Sequence, residues 1–119
     1  MSEAMLFAID ARDLTDAGTA AELVDHWRDS REAPTSRIAA FFEALLQTWP
    51  EDGSKGAVWY EDFTHNKPAG PMLEMTFDLD EFDEERLGQL RSLAGQHGLC
   101  MFDPEGEVLY LPDGSEAVA

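Results

Sequence analysis

Cysteine is nearly absent: Cys100 stands alone among 119 residues, so no internal disulfide can form and a reducing compartment is expected. Basic residues are scarce as well, with 8 Lys and Arg against 25 Asp and Glu, a formal net charge of −17. Nucleic acid and anionic lipid are held through Lys and Arg, so neither a nucleic-acid nor a membrane partner is expected. No apolar run approaches the length of a membrane span. The opening MSEAMLFAID lacks a basic n-region, and its apolar stretch, Met5 to Ile9, is too short for the core of a secretory leader. The cytoplasm is the expected location. His26, His65 and His97 lie far apart, none in HExxH, CxxC or CxxxH spacing, and no GxSxG, Walker A or GxGxxG segment occurs. Metal, cofactor and catalytic chemistry therefore lack local support, and a protein that is not an enzyme is expected.

What is present is an ordinary apolar fraction, 44%, so the acidity does not mark disorder. The length suits one domain, expected over residues 1–112, with 113–119 (DGSEAVA) as a loose tail. The charge is uneven. Residues 1–50 carry 9 acids and 4 bases, a net of −5, while 51–119 carry 16 acids and 4 bases, a net of −12. Such a surface attracts a basic protein and accelerates its approach.

Periodicity predicts the elements. MLFAID reads as a strand, and TAAELVDHWRDS as a helix in which Thr19 and Glu22 have capping-box spacing. A second helix begins near Arg37, with Ile38, Phe41, Phe42, Leu45, Leu46 and Trp49 at helical spacing and Pro50 to stop it. AVWYEDF is rich in aromatic and β-branched residues and reads as a strand, THNKPAGP as a loop. In MLEMTFDL the apolar Leu73, Met75, Phe77 and Leu79 alternate with Glu74, Thr76 and Asp78, which predicts one buried and one polar face. A third helix is expected from about Glu81 to Gln96, with Gly98 as its C′ residue, then strands LCMF and EVLYLP joined by an Asp103-Pro104-Glu105-Gly106 turn. The order fits an α+β, ferredoxin-like split βαβ fold. Helices would cover one sheet face, with an extra N-terminal helix and a C-terminal hairpin added.

The segment FDLDEFDEERLGQL concentrates charge: Asp78, Asp80, Glu81, Asp83, Glu84 and Glu85 fall within nine residues. It is not a calcium loop. Counted from Asp78, an EF-hand needs a ligand, a Gly and a Glu at its fifth, sixth and twelfth positions, where this chain has Phe82, Asp83 and Gln89. Asp80 is placed to cap the following helix, and carboxylates in a first turn suit the helix dipole. Capping accounts for one or two of the six, and the surplus points to a basic partner. Next to the THNKPAGP loop, Trp59, Tyr60 and Phe63 are interspersed with Glu61 and Asp62, an acidic and aromatic combination suited to a protein interface. Cys100, in a short apolar strand, reads as a small buried hydrophobe and His97 as a helix-terminal residue. Carboxylate pairs such as Glu105 and Glu107 would need a dry pocket to act as acid and base.

SRIAAFFEALLQTWPED, VWYED, AGPMLEMTFDL and AGQHGLCMFDPEGEVLYLP, in that order, resemble a group of small, largely uncharacterised bacterial proteins. The likeness spans roughly residues 36–112 and implies a helix-covered α+β sheet. By analogy of size and charge, the chain is also similar to the immunity proteins of bacterial toxin systems. The expected function is an acidic protein-binding module, an immunity or inhibitor protein that covers a basic cleft of a toxin or secreted effector. Alternatives are an acidic secretion chaperone or adaptor, possibly a homodimer, and a small-ligand regulatory domain using the polar sheet face.

Overall fold

Strand β1 (Glu3–Ile9) is apolar on both sides, and that decides the architecture. In the computed structural model, which describes residues 3–10, 14, 16–27, 30, 32–49, 67–78 and 82–118, Leu6, Phe7, Ala8 and Ile9 are all buried. A strand with no polar face must be covered twice. The elements that follow are α1 (Ala17–Trp27), α2 (Ser36–Thr48), β2 (Lys67–Ala69), β3 (Met72–Asp78), α3 (Glu84–Gln96), β4 (Cys100–Asp103), β5 (Val108–Tyr110) and β6 (Glu116–Val118). The strands form one antiparallel sheet in the order β2-β3-β1-β4-β5-β6. The chain is thus an α+β protein with three helices and a six-stranded antiparallel sheet among the described residues.

Two cores lie on opposite sheet faces. Ala8 of β1 stands opposite Leu73 and Met101, and this face packs against Ile38, Phe41 and Leu45 of α2 and Leu90 and Ala94 of α3. Phe7 stands opposite Glu74 and Phe102, and this face packs against Ala17, Ala20 and Val24 of α1. The expectation that the helices share one face is therefore corrected, because α1 covers the other. The expected open polar face is corrected with it: Glu74 is 7% and Thr76 3% exposed. Fully burying a side chain such as Phe41, Leu45 or Met75 contributes about 1.5–3 kcal/mol of transfer free energy, which is why both faces close.

Local chemistry sets the helix ends. Thr35 caps α2, its hydroxyl accepting from the Ile38 N–H at 3.3 Å. The first helix starts one turn earlier than the Thr19–Glu22 pair suggests: Asp16 accepts from the Thr19 N–H at 2.8 Å and from its hydroxyl at 2.9 Å. Helix α3 starts at Glu84, and its cap is Asp83, not Asp80, accepting from the Arg86 N–H at 3.0 Å. Gly98 has φ +70°, the left-handed conformation expected after the helix.

Two further expectations give way. Residues 67–69, read as loop, form β2 and pair with β3. Residues 113–118 are not loose: Asp113 accepts from the Ser115 N–H at 2.8 Å, and the turn it holds returns β6 onto β5. The expected strand AVWYEDF lies outside the described residues.

Candidate partner-binding site

The site is built where β4 ends and α3 begins. After Asp103 the chain turns through Pro104–Glu107, and Asp103 Oδ1 holds the turn by accepting from the Glu105 N–H at 3.0 Å and the Gly106 N–H at 3.3 Å. Across from it, Phe82 is tucked under the start of α3, its N–H donating to the Asp78 carbonyl at 2.8 Å. The Phe82 ring stacks on Phe77 at 4.1 Å between centroids, and Trp49 meets both rings edge-on at 6.3 Å. This aromatic trio gives the first turn of α3 a rigid seat.

Between the β4–β5 turn and α3 runs a groove of about 240 Å³. Its apolar lining comes from Met5, Leu6, Phe82, Leu87 and Tyr110, and its acidic rim from Asp83, Glu84, Asp103 and Glu105. Two rim carboxylates have structural duties, Asp83 as helix cap and Asp103 in the turn, while Glu84 and Glu105 are exposed. Tyr110 registers the local field. Burial pushes its phenol up from the ordinary value of 10.0, the negative charges of Asp103 and Glu116 push it further, and Arg91 partly offsets them. Arg91 sits over the Tyr110 ring at 4.4 Å and donates to the Gly114 carbonyl at 3.1 Å. On the α1 side of the sheet, a second groove of about 230 Å³ shares Met5 with the first, and Asp25 and Glu107 lie on its border.

The residues singled out by sequence are distributed as follows. Asp83 and Glu84 border the groove, Glu85 is exposed in the same helical turn, and Asp78 is half-buried at the end of β3. Asp80, Glu81, Trp59, Glu61 and Asp62 lie outside the described residues. Sequence reasoning missed Asp103 as a rim residue and treated Glu105 only as a member of a possible acid/base pair. The signal was the Asp-Pro-Glu-Gly turn, which had to bring its carboxylates to one end of the sheet. Glu105 and Glu107 are both exposed rather than enclosed. Cys100 is buried at 2% exposure, which pushes its thiol up from the ordinary 9.0. Among the described residues, no group of three or more His, Cys, Asp or Glu side chains is placed to hold a metal ion, and no helix is long and apolar enough to cross a membrane. No family model, curated protein or solved structure matches the chain.

Proposed function

We propose that the chain is a non-enzymatic protein-binding module that captures a basic partner at the groove between α3 and the β4–β5 turn. The observation that carries this reading is the pairing of an apolar lining with a rim of four carboxylates, Asp83, Glu84, Asp103 and Glu105. An apolar side chain of the partner fills the groove while flanking Lys or Arg residues meet the rim. Such a division gives affinity from burial and orientation from charge. The net charge of −17 extends the attraction beyond the contact itself.

Within that class, we favour an immunity or inhibitor protein whose acidic surface occludes a basic cleft of a toxin or secreted effector, acting in the cytoplasm. We read the fold as a split βαβ, ferredoxin-like core carrying α1 and the β5–β6 hairpin as additions, a reading supported by the strand order β2-β3-β1-β4. The experiment is genetic and biochemical together. Deleting the gene should poison the cell only while a basic neighbouring gene product is made, and the two proteins should co-purify in native form. A chain that retains only an unfolded segment of that neighbour is a secretion chaperone instead. One that is dispensable beside an active neighbour, and does not retain it, is not its immunity protein.

A further inference from the structure

The two grooves that share Met5 belong to one feature of the sheet. β1 pairs with β3 from Glu3 to Ile9, but with β4 only from Phe7 to Ile9, because β4 ends at Asp103 and the chain turns through Pro104–Glu107. β1 therefore runs on past the end of β4 and leaves a step in the sheet. On the α3 side the step borders the acidic groove of about 240 Å³, and on the α1 side the groove of about 230 Å³, with Met5 on the wall of each. Phe7, Ala21, Val24 and Phe102 give the second groove its apolar lining, and Asp25 and Glu107 lie on its border. Among the described residues, neither lining carries a Lys or an Arg.

The turn between the grooves is conformationally costly. Glu107 holds φ +52°, a left-handed backbone that side chains disfavour and glycine adopts freely. Its side chain is exposed, so burial does not explain a glutamate at this position. A strained residue on the border of a groove is a pointer to function. Charge and shape then name the occupant. Building on the reading of the α3 groove as the site for a basic partner, we infer that the partner crosses the step as an extended segment and seats one apolar side chain in each groove. Consecutive residues of an extended chain point to opposite faces, so two adjacent apolar residues reach both grooves at once. Flanking Lys and Arg residues meet carboxylates on both sides of the Pro104–Glu107 turn: Asp83, Glu84, Asp103 and Glu105 on the α3 side, Asp25 and Glu107 on the α1 side.

Fluorescence anisotropy of the full chain with labelled peptides tests this. The parent peptide is Lys-Arg-Leu-Leu-Arg-Lys, compared with versions in which either Leu, or both, becomes Ser. Each replacement should weaken binding by about tenfold. Glu107→Gly relaxes the turn and removes one carboxylate of the α1 groove. Its melting temperature should hold or rise while its affinity for the parent peptide falls severalfold. Ala21→Phe fills the α1 groove, and should lower affinity for the parent peptide to that of a peptide with one Leu. A different pattern overturns the inference while leaving the α3 groove as the partner site: one Leu binds as tightly as two, Glu107→Gly and Ala21→Phe change nothing, and Glu84→Lys/Glu105→Lys still weakens binding. A parent peptide that binds no more tightly than its double Ser version overturns both.

Discussion

The Trp27 indole packs against Gly70: a Cβ at position 70 would stand 2.6 Å from the ring, and Gly70 holds φ +54°. Trp27 ends α1 on one sheet face, and Gly70 forms the β2–β3 turn. The chain then crosses to the other face before α2 begins. Gly70 pins that crossing with both backbone groups, its N–H donating to the Glu32 carbonyl at 3.3 Å and its carbonyl accepting from the Thr35 N–H at 2.9 Å. Thr35 in turn donates its hydroxyl to Asp10 at 2.8 Å, and Arg37 lies 3.9 Å from the same carboxylate.

Gly70→Ala should therefore be among the costlier single-methyl changes in the protein. It adds the left-handed penalty of a non-glycine residue to a collision with the indole, for a loss of about 1–3 kcal/mol. Urea denaturation, followed by tryptophan fluorescence and by helical circular dichroism, measures it. Denaturation at the wild-type midpoint would show that the indole moves aside freely and that the crossing is not pinned there.

The two caps should differ in weight. Asp83→Ala removes the cap to the Arg86 N–H and an exposed ion pair with the Arg86 guanidinium at 3.3 Å, and should cost about 1 kcal/mol, nearly all of it from the cap. Thr35→Ala should cost more, since it removes the α2 cap and also strips Asp10 of a hydroxyl donor in a part-buried setting. Equal losses in a denaturation series would mean that the Asp10 bond contributes nothing.

Acid should unfold the protein partly through Asp16 and Asp113. Hydrogen bonds from Thr19 hold the first below the ordinary carboxylate value of 3.8, and hydrogen bonds from Ser115 do the same for the second. A pKa depressed by folding means that the stabilisation is complete above about pH 3.8 and is lost as the pH falls through the lower folded values. Asp16→Asn and Asp113→Asn should flatten the stability–pH curve in that range and leave its slope near neutrality unchanged. An unchanged acid limb in both variants would contradict the assignment.

Cys100 should resist alkylation in the native protein and react once the chain unfolds, because burial both hides the sulfur and disfavours the thiolate. Rapid labelling of native protein at neutral pH would mean that the α1 face opens readily.

Much of the fold is legible in particular residues. The spacing of Ile38, Phe41 and Leu45 announces α2, and the alternation of Leu73, Met75 and Phe77 announces β3, because each pattern matches one period and one core. The position of α1 was harder to read. Glu74 and Thr76 suggest an open face when β3 is read by itself, although the continuous apolar runs at 6–9 and 99–102 demand cover on both sides. β2 and β6 are three residues each, too short for alternation to show, and their pairing is set by neighbouring turns. For the site, the charge of the DEFDEE segment is plain in sequence, but the groove needs Asp103 and Glu105 from a turn some twenty residues later, and only the sheet brings them beside α3.

The central claim is that the acidic groove takes an apolar side chain flanked by cations. It is tested most directly by fluorescence anisotropy of a short labelled peptide, a Leu flanked by Lys and Arg, binding the full chain across a NaCl titration. Glu84 and Glu105 are exposed, so Glu84→Lys/Glu105→Lys should leave the fold intact while reversing half of the rim, with a small drop in melting temperature from placing a cation in the first turn of α3. The account predicts affinity that falls with salt, falls when the peptide Leu becomes Ser, and falls by about tenfold or more in the double variant. Binding that is indifferent to salt, to the loss of the Leu and to both substitutions would contradict it.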